Sequence, residues 1–142
     1  MAVDPFDDSI GLSKPRDATK SGTKFTLALL GVADMPVKAS TCARHSKISF
    51  SHVGDVVLYR MGGSYSAGRV LLFVEVLGHP IVILETFRLI DGVDNVDNTT
   101  MWEVTGVKDF FPLQDIVDPV SWQTYKANQV RLIEPFDLQR RI

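Results

Sequence analysis

The stretch GRVLLFVEVLGHPIVILETFRLID, residues 68–91, contains two apolar runs that are rich in β-branched residues and are separated by Gly-His-Pro. Two such runs with a short turn between them predict an antiparallel β-hairpin. In the second run, both alternating sets of side chains are largely apolar. This pattern predicts a strand that is covered on both faces, or one that curls through a small barrel, rather than an exposed edge strand.

Shorter runs on either side of this stretch extend the β pattern. They are KISF, DVVLYR, MWEVTG and, at residues 129–135, QVRLIEP. Glycines, prolines and other turn residues recur about every 8 to 12 residues between residues 47 and 135, which is typical of an all-β sandwich or barrel. The sequence therefore predicts a mainly β fold, a small distorted antiparallel β-barrel with short helical turns.

Three segments are predicted to lie outside the strands or remain ambiguous. Residues 1–24 mix acids, bases, Gly and Pro without an apolar period, which is typical of a flexible, disordered arm. The run KFTLALLGV, residues 24–32, fits a strand or a short helix, because periodicity does not separate the two in so short a run. A turn of helix is compatible with residues 110–128, where two prolines limit its length. We expect a flexible arm over 1–24 and one domain over 25–142.

The composition narrows the class of protein. The chain has 142 residues, 45% hydrophobic and 23% charged, which is average for one globular domain. The net charge of -2 provides no overall basic field of the kind that nucleic-acid-binding proteins usually carry. The single cysteine, Cys42, excludes a disulfide framework, and no run resembles a secretion signal or a membrane span. We expect an intracellular protein that has no membrane partner.

Two loops resemble ligand-binding motifs but lack their essential residues. Residues 63–70 approach a phosphate-binding loop, yet Arg69 replaces the lysine, Val70 replaces the hydroxyl that holds magnesium, and a strand pattern follows where a helix is needed. Residues 91–98, DGVDNVDN, suggest a calcium loop, but the acidic spacing is wrong and Trp102 stands where the bidentate glutamate belongs. We therefore predict turns at both places, with no metal and no cofactor.

Residues that could support catalysis lie close together in the sequence, at Cys42, His45, Ser46 and His52. Nucleophilic catalysis needs a nucleophile, a base within hydrogen-bond reach and an orienting group, and sequence proximity does not provide that geometry. The spacing also fails every standard zinc motif. We predict no enzyme, and keep a small enzyme that uses Cys42 with His45 or His52 as a further hypothesis.

Aromatic residues at strand ends and in loops suggest a binding site. In small barrels, aromatic rings at one rim can hold a methylated ammonium group by cation–π attraction, with a nearby carboxylate adding selectivity. The predicted set is Tyr65, Phe87 and Trp102, with Asp91 or Glu103 as the carboxylate. Two other aromatic residues have apolar neighbours and are expected in the core: Phe111 and Trp122.

Basic residues provide an alternative function, nucleic-acid binding. If folding brings them together, they can meet phosphates despite the balanced net charge. The candidates are Lys38, Arg44, Lys47 and Arg131, together with the arginines near the carboxyl end, Arg140 and Arg141.

The order of these segments resembles the bromo-adjacent homology (BAH) domain over about residues 50–135. The shared features are a Gly-Asp-x-Val opening, a small residue and an arginine before spaced apolar residues, an aromatic-Arg pair, and a late segment leading from Ile to Pro and Val. Here they fall at Gly54, Asp55 and Val57, at Gly68 and Arg69 followed by Val70 and Phe73, at Phe87 and Arg88, and at Ile116 to Val120. The order is also similar to an uncharacterised barrel domain of basidiomycete fungal proteins, several of them associated with transposable elements.

The BAH resemblance implies a distorted β-barrel used for protein interaction, often in chromatin, and in some members for reading methylated lysine on histone tails. Loop 91–98 holds no aromatic residue, so Trp102 must supply the cage at that position. Together with the aromatic set, the resemblance implies a non-enzymatic module that binds a protein or peptide, such as a histone tail, in the nucleus. The oligomeric state stays open, and a homo-oligomer or scaffold with an exposed β edge is a further hypothesis.

Overall fold

The computed structural model describes residues 10–46, 49–90 and 99–133. Within these ranges the chain forms short and long β-strands, one α-helix and one short 3-10 helix. The elements in chain order are β1 (Gly11–Leu12), β2 (Arg16–Asp17), α1 (Lys20–Leu30), β3 (Val37–Ser40), β4 (Cys42–Arg44), β5 (Phe50–His52), β6 (Val56–Met61), β7 (Ser64–Val76), β8 (His79–Leu89), β9 (Thr99–Pro112), the 3-10 helix (Leu113–Asp115), β10 (Ile116–Pro119), β11 (Ser121–Lys126) and β12 (Gln129–Ile133).

The ambiguous run at residues 24–32 belongs to a helix. Helix α1 begins after Thr19, whose hydroxyl accepts a hydrogen bond from the Gly22 amide at 3.0 Å, and ends at Gly31, which has a φ of 71°. A capped start and a left-handed glycine at the end satisfy backbone groups that a helix otherwise leaves unpaired. Leu27 then packs the helix against one face of the β7–β8 hairpin.

Residues 10–24 are part of the fold, so the flexible-arm prediction for residues 1–24 is wrong over this portion. Strand β1 pairs with β4, strand β2 pairs with β3, and the first turns of α1 follow. Strands of two residues join a sheet through backbone hydrogen bonds and bury few side chains, so they leave no apolar period in the sequence. Residues 1–9 lie outside the described ranges.

The hairpin predicted for residues 68–91 is confirmed over residues 68–89 and lies in the middle of the larger sheet. Strands β7 and β8 pair antiparallel, and the turn between them consists of Leu77 and Gly78, so that His79 already begins β8. The order of the sheet is β10-β6-β7-β8-β9-β12-β11, with β3 also pairing with β7 and β2 with β3. A second sheet of order β1-β4-β5 lies beside it.

Both faces of the hairpin are covered, as the sequence predicts. On β8, Leu84 points into a cluster that includes Tyr59, Phe73 and Ile116, while Ile83 points to the opposite face, where α1 packs. Both Ile83 and Leu84 are 0% exposed. A third cluster fills the inside of the curled sheet, formed by Val56, Leu58, Ala67, Phe87, Trp102, Val117, Val120, Val130 and Leu132.

The two ends of the larger sheet are consecutive in the chain. Strand β10 pairs with β6 at one end, strand β11 pairs with β12 at the other, and only Val120 separates β10 from β11. The Val120 amide donates a hydrogen bond to the Val56 carbonyl at 2.9 Å. The mainly β, antiparallel class is therefore confirmed, but the described strands do not close into a hydrogen-bonded barrel. No helix in the described ranges is long and apolar enough to cross a membrane.

Candidate functional site

The three aromatic residues of the predicted cage converge, but they do so inside the core. Phe87 and Trp102 are 4% and 5% exposed, and half-buried Tyr65 packs against the same cluster. The indole Nε1 of Trp102 donates to the Thr100 hydroxyl at 2.7 Å. Rings whose faces are covered by apolar neighbours have no surface left for a methylated ammonium group, so the prediction of an open cage from these residues is wrong.

The predicted carboxylates do not complete a cage either. Glu103 follows Trp102 directly in β9, and successive side chains of a strand point to opposite faces. Its Oε1 instead accepts hydrogen bonds from Arg88, at 2.7 Å from Nη2 and 3.2 Å from Nε. Asp91 and the rest of the predicted calcium loop lie outside the described residues.

The predicted basic residues lie on separate elements. Lys38 on β3 pairs with Asp17 at 2.8 Å, Arg44 on β4 stacks over the ring of Phe50 at 4.4 Å, and Arg131 lies on β12. Lys47, Arg140 and Arg141 fall outside the described ranges. The described residues therefore do not form one phosphate-binding patch from the set that the sequence suggested.

The candidate catalytic residues lie on different faces of the small sheet, which consists of β1, β4 and β5. Cys42 and His52 are direct partners across β4 and β5, so their side chains share the outer face. The described residues include no hydrogen bond between the Cys42 thiol and an imidazole. His52 Nδ1 lies 3.7 Å from the Asp55 carboxylate, and both side chains are partly or largely exposed. The described ranges also contain no cluster of three metal-binding side chains.

His45 faces inward from the small sheet and belongs to a buried polar network. It is 3% exposed, and its Nε2 lies 2.8 Å from the Ser51 hydroxyl and 3.4 Å from that of Ser49. The Ser49 hydroxyl in turn donates to Asp118 on β10 at 2.9 Å. Burial lowers the pKa of His45, opposed by the backbone of Phe50 and the charge of Asp118. The imidazole therefore joins the small sheet to the edge of the large one.

The glycine-rich segment that approached a phosphate loop is a turn between strands. Gly62 and Gly63 connect β6 to β7, and Gly62 has a φ of 63°, which glycine adopts without strain. Strand β7 follows directly, so the positive end of a helix is not present at this turn. The sequence prediction of a turn at residues 63–70 is therefore confirmed at Gly63 and wrong for residues 64–70, which belong to strand β7.

Strand β11 is exposed along its whole length in the described chain. All six of its residues are exposed, with Trp122 at 38% and Tyr125 at 50%, and it pairs with β12 alone. The prediction that Trp122 lies in the core is wrong, because an edge strand leaves its side chains covered on one flank only. Phe111 is partly buried, and its ring centroid lies 4.5 Å from that of Tyr59, consistent with a core position.

The two aromatic rings of β11 are each stacked on cationic groups, on opposite faces of the sheet. Trp122 pairs with buried Leu132 and so lies on the inner face, where the guanidinium of Arg69 from β7 is 5.0 Å from its ring. On the other face, the guanidinium of Arg131 and the ammonium of Lys126 lie 5.2 Å and 5.4 Å from the ring of Tyr125. We call these five residues the edge site.

The sequence contains a partial signal for the edge site. The segment SWQTYKANQVRLI has two strand-like runs around Lys-Ala-Asn, and Asn128 has a φ of 64°, which is typical of hairpin turns. This pattern indicates a strand over Trp122 and Tyr125, in place of the turn of helix that we considered compatible with residues 110–128. The sequence does not indicate that this strand lies at the margin of the sheet, nor that Arg69 reaches it from β7.

A separate cleft lies beside the start of α1. It has a volume of about 610 Å³ and is lined by charged, hydroxyl-bearing and thiol-bearing residues, including Lys14, Arg16, Thr19, Ser40 and Cys42. None of the described residues predicted to bind a ligand lines this cleft. Lys14 has a φ of 47°, which is uncommon for a residue other than glycine.

The fold and the edge site together define a mainly antiparallel β protein in which the described strands leave the aromatic strand β11 at the margin of the sheet. No known protein family matches the chain, and no curated protein is significantly similar to it in sequence. The resemblance to the BAH domain and to the fungal barrel domain therefore stays a prediction.

Proposed function

We propose that this chain is a non-enzymatic protein-interaction module that binds an extended segment of a partner along the open side of β11. The observation that carries the proposal is the combination, in β11, of two exposed aromatic rings and one strand edge that pairs with no other described strand. The open edge of a strand presents a row of backbone donors and acceptors, and proteins normally shield such rows from other chains. Strand addition uses these rows for affinity and alternate side chains for specificity.

The shielding of β11 is incomplete. A register irregularity lies between Thr124 and Lys126, and Lys126 itself is a charge at the end of the strand, both of which discourage pairing there. From Ser121 to Thr124 the register is regular. Trp122 stands in this regular part, and large aromatic residues are the commonest anchors of protein interfaces. This part of β11 is therefore the best place for a partner strand.

The test is a selection of random displayed peptides against the folded chain, followed by calorimetry on the synthetic peptides recovered. We expect bound peptides to protect the amides of β11 from hydrogen exchange. Methylating alternate backbone nitrogens of the peptide should weaken binding strongly, because strand addition needs those donors. A peptide whose affinity is unaffected by such methylation, or the recovery of no peptide that binds, contradicts the proposal.

A matched pair of variants locates the site. Trp122→Ala should weaken the selected peptide by about tenfold or more, the usual effect of removing a central aromatic anchor. Phe50→Ala removes an aromatic side chain of similar exposure, 43% against 38%, on the other sheet and should leave affinity unchanged. Equal effects of the two substitutions would place binding elsewhere. Circular dichroism on both variants separates lost binding from lost folding.

Histone tails and nucleic acid enter the same experiment as named alternatives. Methylated and unmethylated histone-tail peptides test the partner that the BAH resemblance implies. A single-stranded oligonucleotide tests the nucleic-acid alternative, since aromatic rings beside Arg131 and Lys126 can also stack bases. If the oligonucleotide binds with an affinity that falls steeply with added salt, and no peptide binds, then the partner is a nucleic acid and not a protein.

A further inference from the structure

We infer that the edge site selects a partner segment that carries acidic side chains. This inference rests on the proposed function, because it names the chemistry of the segment that β11 would accept. It follows from the three cations of the edge site, Arg69, Lys126 and Arg131, and from the absence of acidic partners for them among the described residues. None of the three forms an ion pair with a described residue.

Two cations elsewhere in the described chain have close carboxylate partners. Lys38 pairs with Asp17 at 2.8 Å and Arg88 pairs with Glu103 at 2.7 Å. The three cations of the edge site form no ion pair within the described ranges and instead lie over aromatic rings. A cation on a ring face keeps its donors available at the ring edge, so a carboxylate can bind it without displacing the stack.

Arg69 shows the clearest unmet hydrogen-bonding capacity. Its Nε is buried and has no hydrogen-bond partner in the part of the chain that the structure describes. Glu85 is its direct neighbour across β7 and β8, yet the two make no ion pair. A guanidinium has five donors in a fixed fork that matches a carboxylate, so an incoming Glu or Asp is a better partner for it than a neutral side chain.

The cations of the edge site lie on both faces of the sheet, so alternate side chains of a partner strand would meet different cations. Side chains of an added strand point alternately to the two faces of the sheet. One set would meet Trp122 with Arg69, and the other would meet Tyr125 with Arg131 and Lys126. A segment that binds in the regular part of β11 can therefore place acidic residues on either face, and a segment with lysines at these positions is repelled.

The test uses short synthetic peptides of alternating Thr and Val that differ only in carrying Glu, Gln or Lys at the same internal positions. Affinity is measured by titration calorimetry at low and at physiological ionic strength. We expect the Glu peptide to bind about tenfold more tightly than the Gln peptide at low salt, with the Lys peptide weakest. The advantage of Glu should shrink as salt rises, because the cations are partly exposed.

Two variants assign the preference to the edge site. Arg69→Gln should abolish most of the difference between the Glu and Gln peptides, and Arg131→Gln, which removes no buried group near Trp122, should reduce it as well. Arg16→Gln makes the same change of net charge on exposed β2 and should leave the preference intact. A preference that survives both edge variants, or one that Arg16→Gln removes equally, overturns the inference.

The outcomes separate this inference from the proposed function. If Glu and Gln peptides bind β11 equally, or if Lys and histone-tail peptides bind best, the acidic preference is wrong while strand addition stands. If none of the three peptides binds but a selected neutral peptide protects β11, the preference is also wrong and the proposed function again stands. If no peptide of any kind binds, both proposals fall together.

Discussion

The close approach of strands β7 and β8 at Gly68 makes a strong prediction about stability. A Cβ atom at this position would lie 2.8 Å from the carbonyl oxygen of Glu85 and 3.3 Å from the Cβ of Leu84. The nearer contact is with backbone that belongs to the β7–β8 ladder, next to the point where the β8–β9 register is irregular, between Glu85 and Phe87. The backbone cannot move away without disturbing the pairing, so Gly68→Ala should destabilise the fold.

The expected magnitude combines two opposing effects. Forcing an extra methyl group into a packed site costs about 1–3 kcal/mol. Replacing glycine by alanine also restricts the unfolded chain and returns about 0.4–1 kcal/mol. The net loss should be about 1–2 kcal/mol, which lowers the unfolding temperature of a domain of this size by about 3–8 °C.

Urea and thermal unfolding, followed by circular dichroism, measure this loss, and Gly63→Ala provides the control. Gly63 lies in the β6–β7 turn, its φ is not in the left-handed region, and a Cβ there meets no atom within 4 Å. The control should be as stable as the parent chain or slightly more stable. If Gly68→Ala unfolds at the same temperature as Gly63→Ala, the strands can accommodate the methyl group and the reasoning is refuted.

Three further predictions concern the core, the buried histidine and a surface pair. Phe73→Ala, at 0% exposure, should cost about 3–5 kcal/mol in urea unfolding, whereas Phe50→Ala should cost well under 1 kcal/mol; equal losses contradict the assignment of the core. Burial lowers the native pKa of His45, so the contribution of its neutral imidazole to the free energy of unfolding is complete above the unfolded pKa of 6.5 and decreases as the pH falls towards the native pKa. The urea midpoint should therefore drop between about pH 7.5 and about pH 5.5, and drop less in His45→Gln. The same pH dependence in both proteins would contradict this role of His45. Lys38→Gln should leave the unfolding temperature unchanged, since its pair with Asp17 is exposed and screened, and a clear drop would show otherwise.

The fold class was predictable because it depends on local pattern. Alternating apolar residues on both sides of the Gly-His-Pro segment specify a hairpin covered on two faces, and the structure has it. The helix α1 was harder to predict, since its identity depends on the caps at Thr19 and Gly31 rather than on a long period. Residues 10–24 have a defined structure because β1 and β2 pair through their backbones with β4 and β3. The pattern of apolar residues carries no signal for such pairing.

The candidate site was predictable only in part. Positions at strand ends and in loops suggested that Tyr65, Phe87 and Trp102 come together, and they do, but curvature decides whether a converging set lies inside the sheet or at its rim. The position of Trp122 depends on which strand ends the sheet, a property of the complete topology. The approach of Arg69 to Trp122 joins residues far apart in sequence, and no local pattern encodes that contact.

The placement of β10 and β11 on either side of Val120 has a consequence for synthesis on the ribosome. Strand β6 is made early, yet its outer neighbour β10 comes after β7, β8 and β9. Until residues 116–120 have left the exit tunnel, β6 exposes an unpaired margin to every other chain nearby. Nascent chains halted before that point should therefore recruit holdase chaperones, and those extended through β12 should release them.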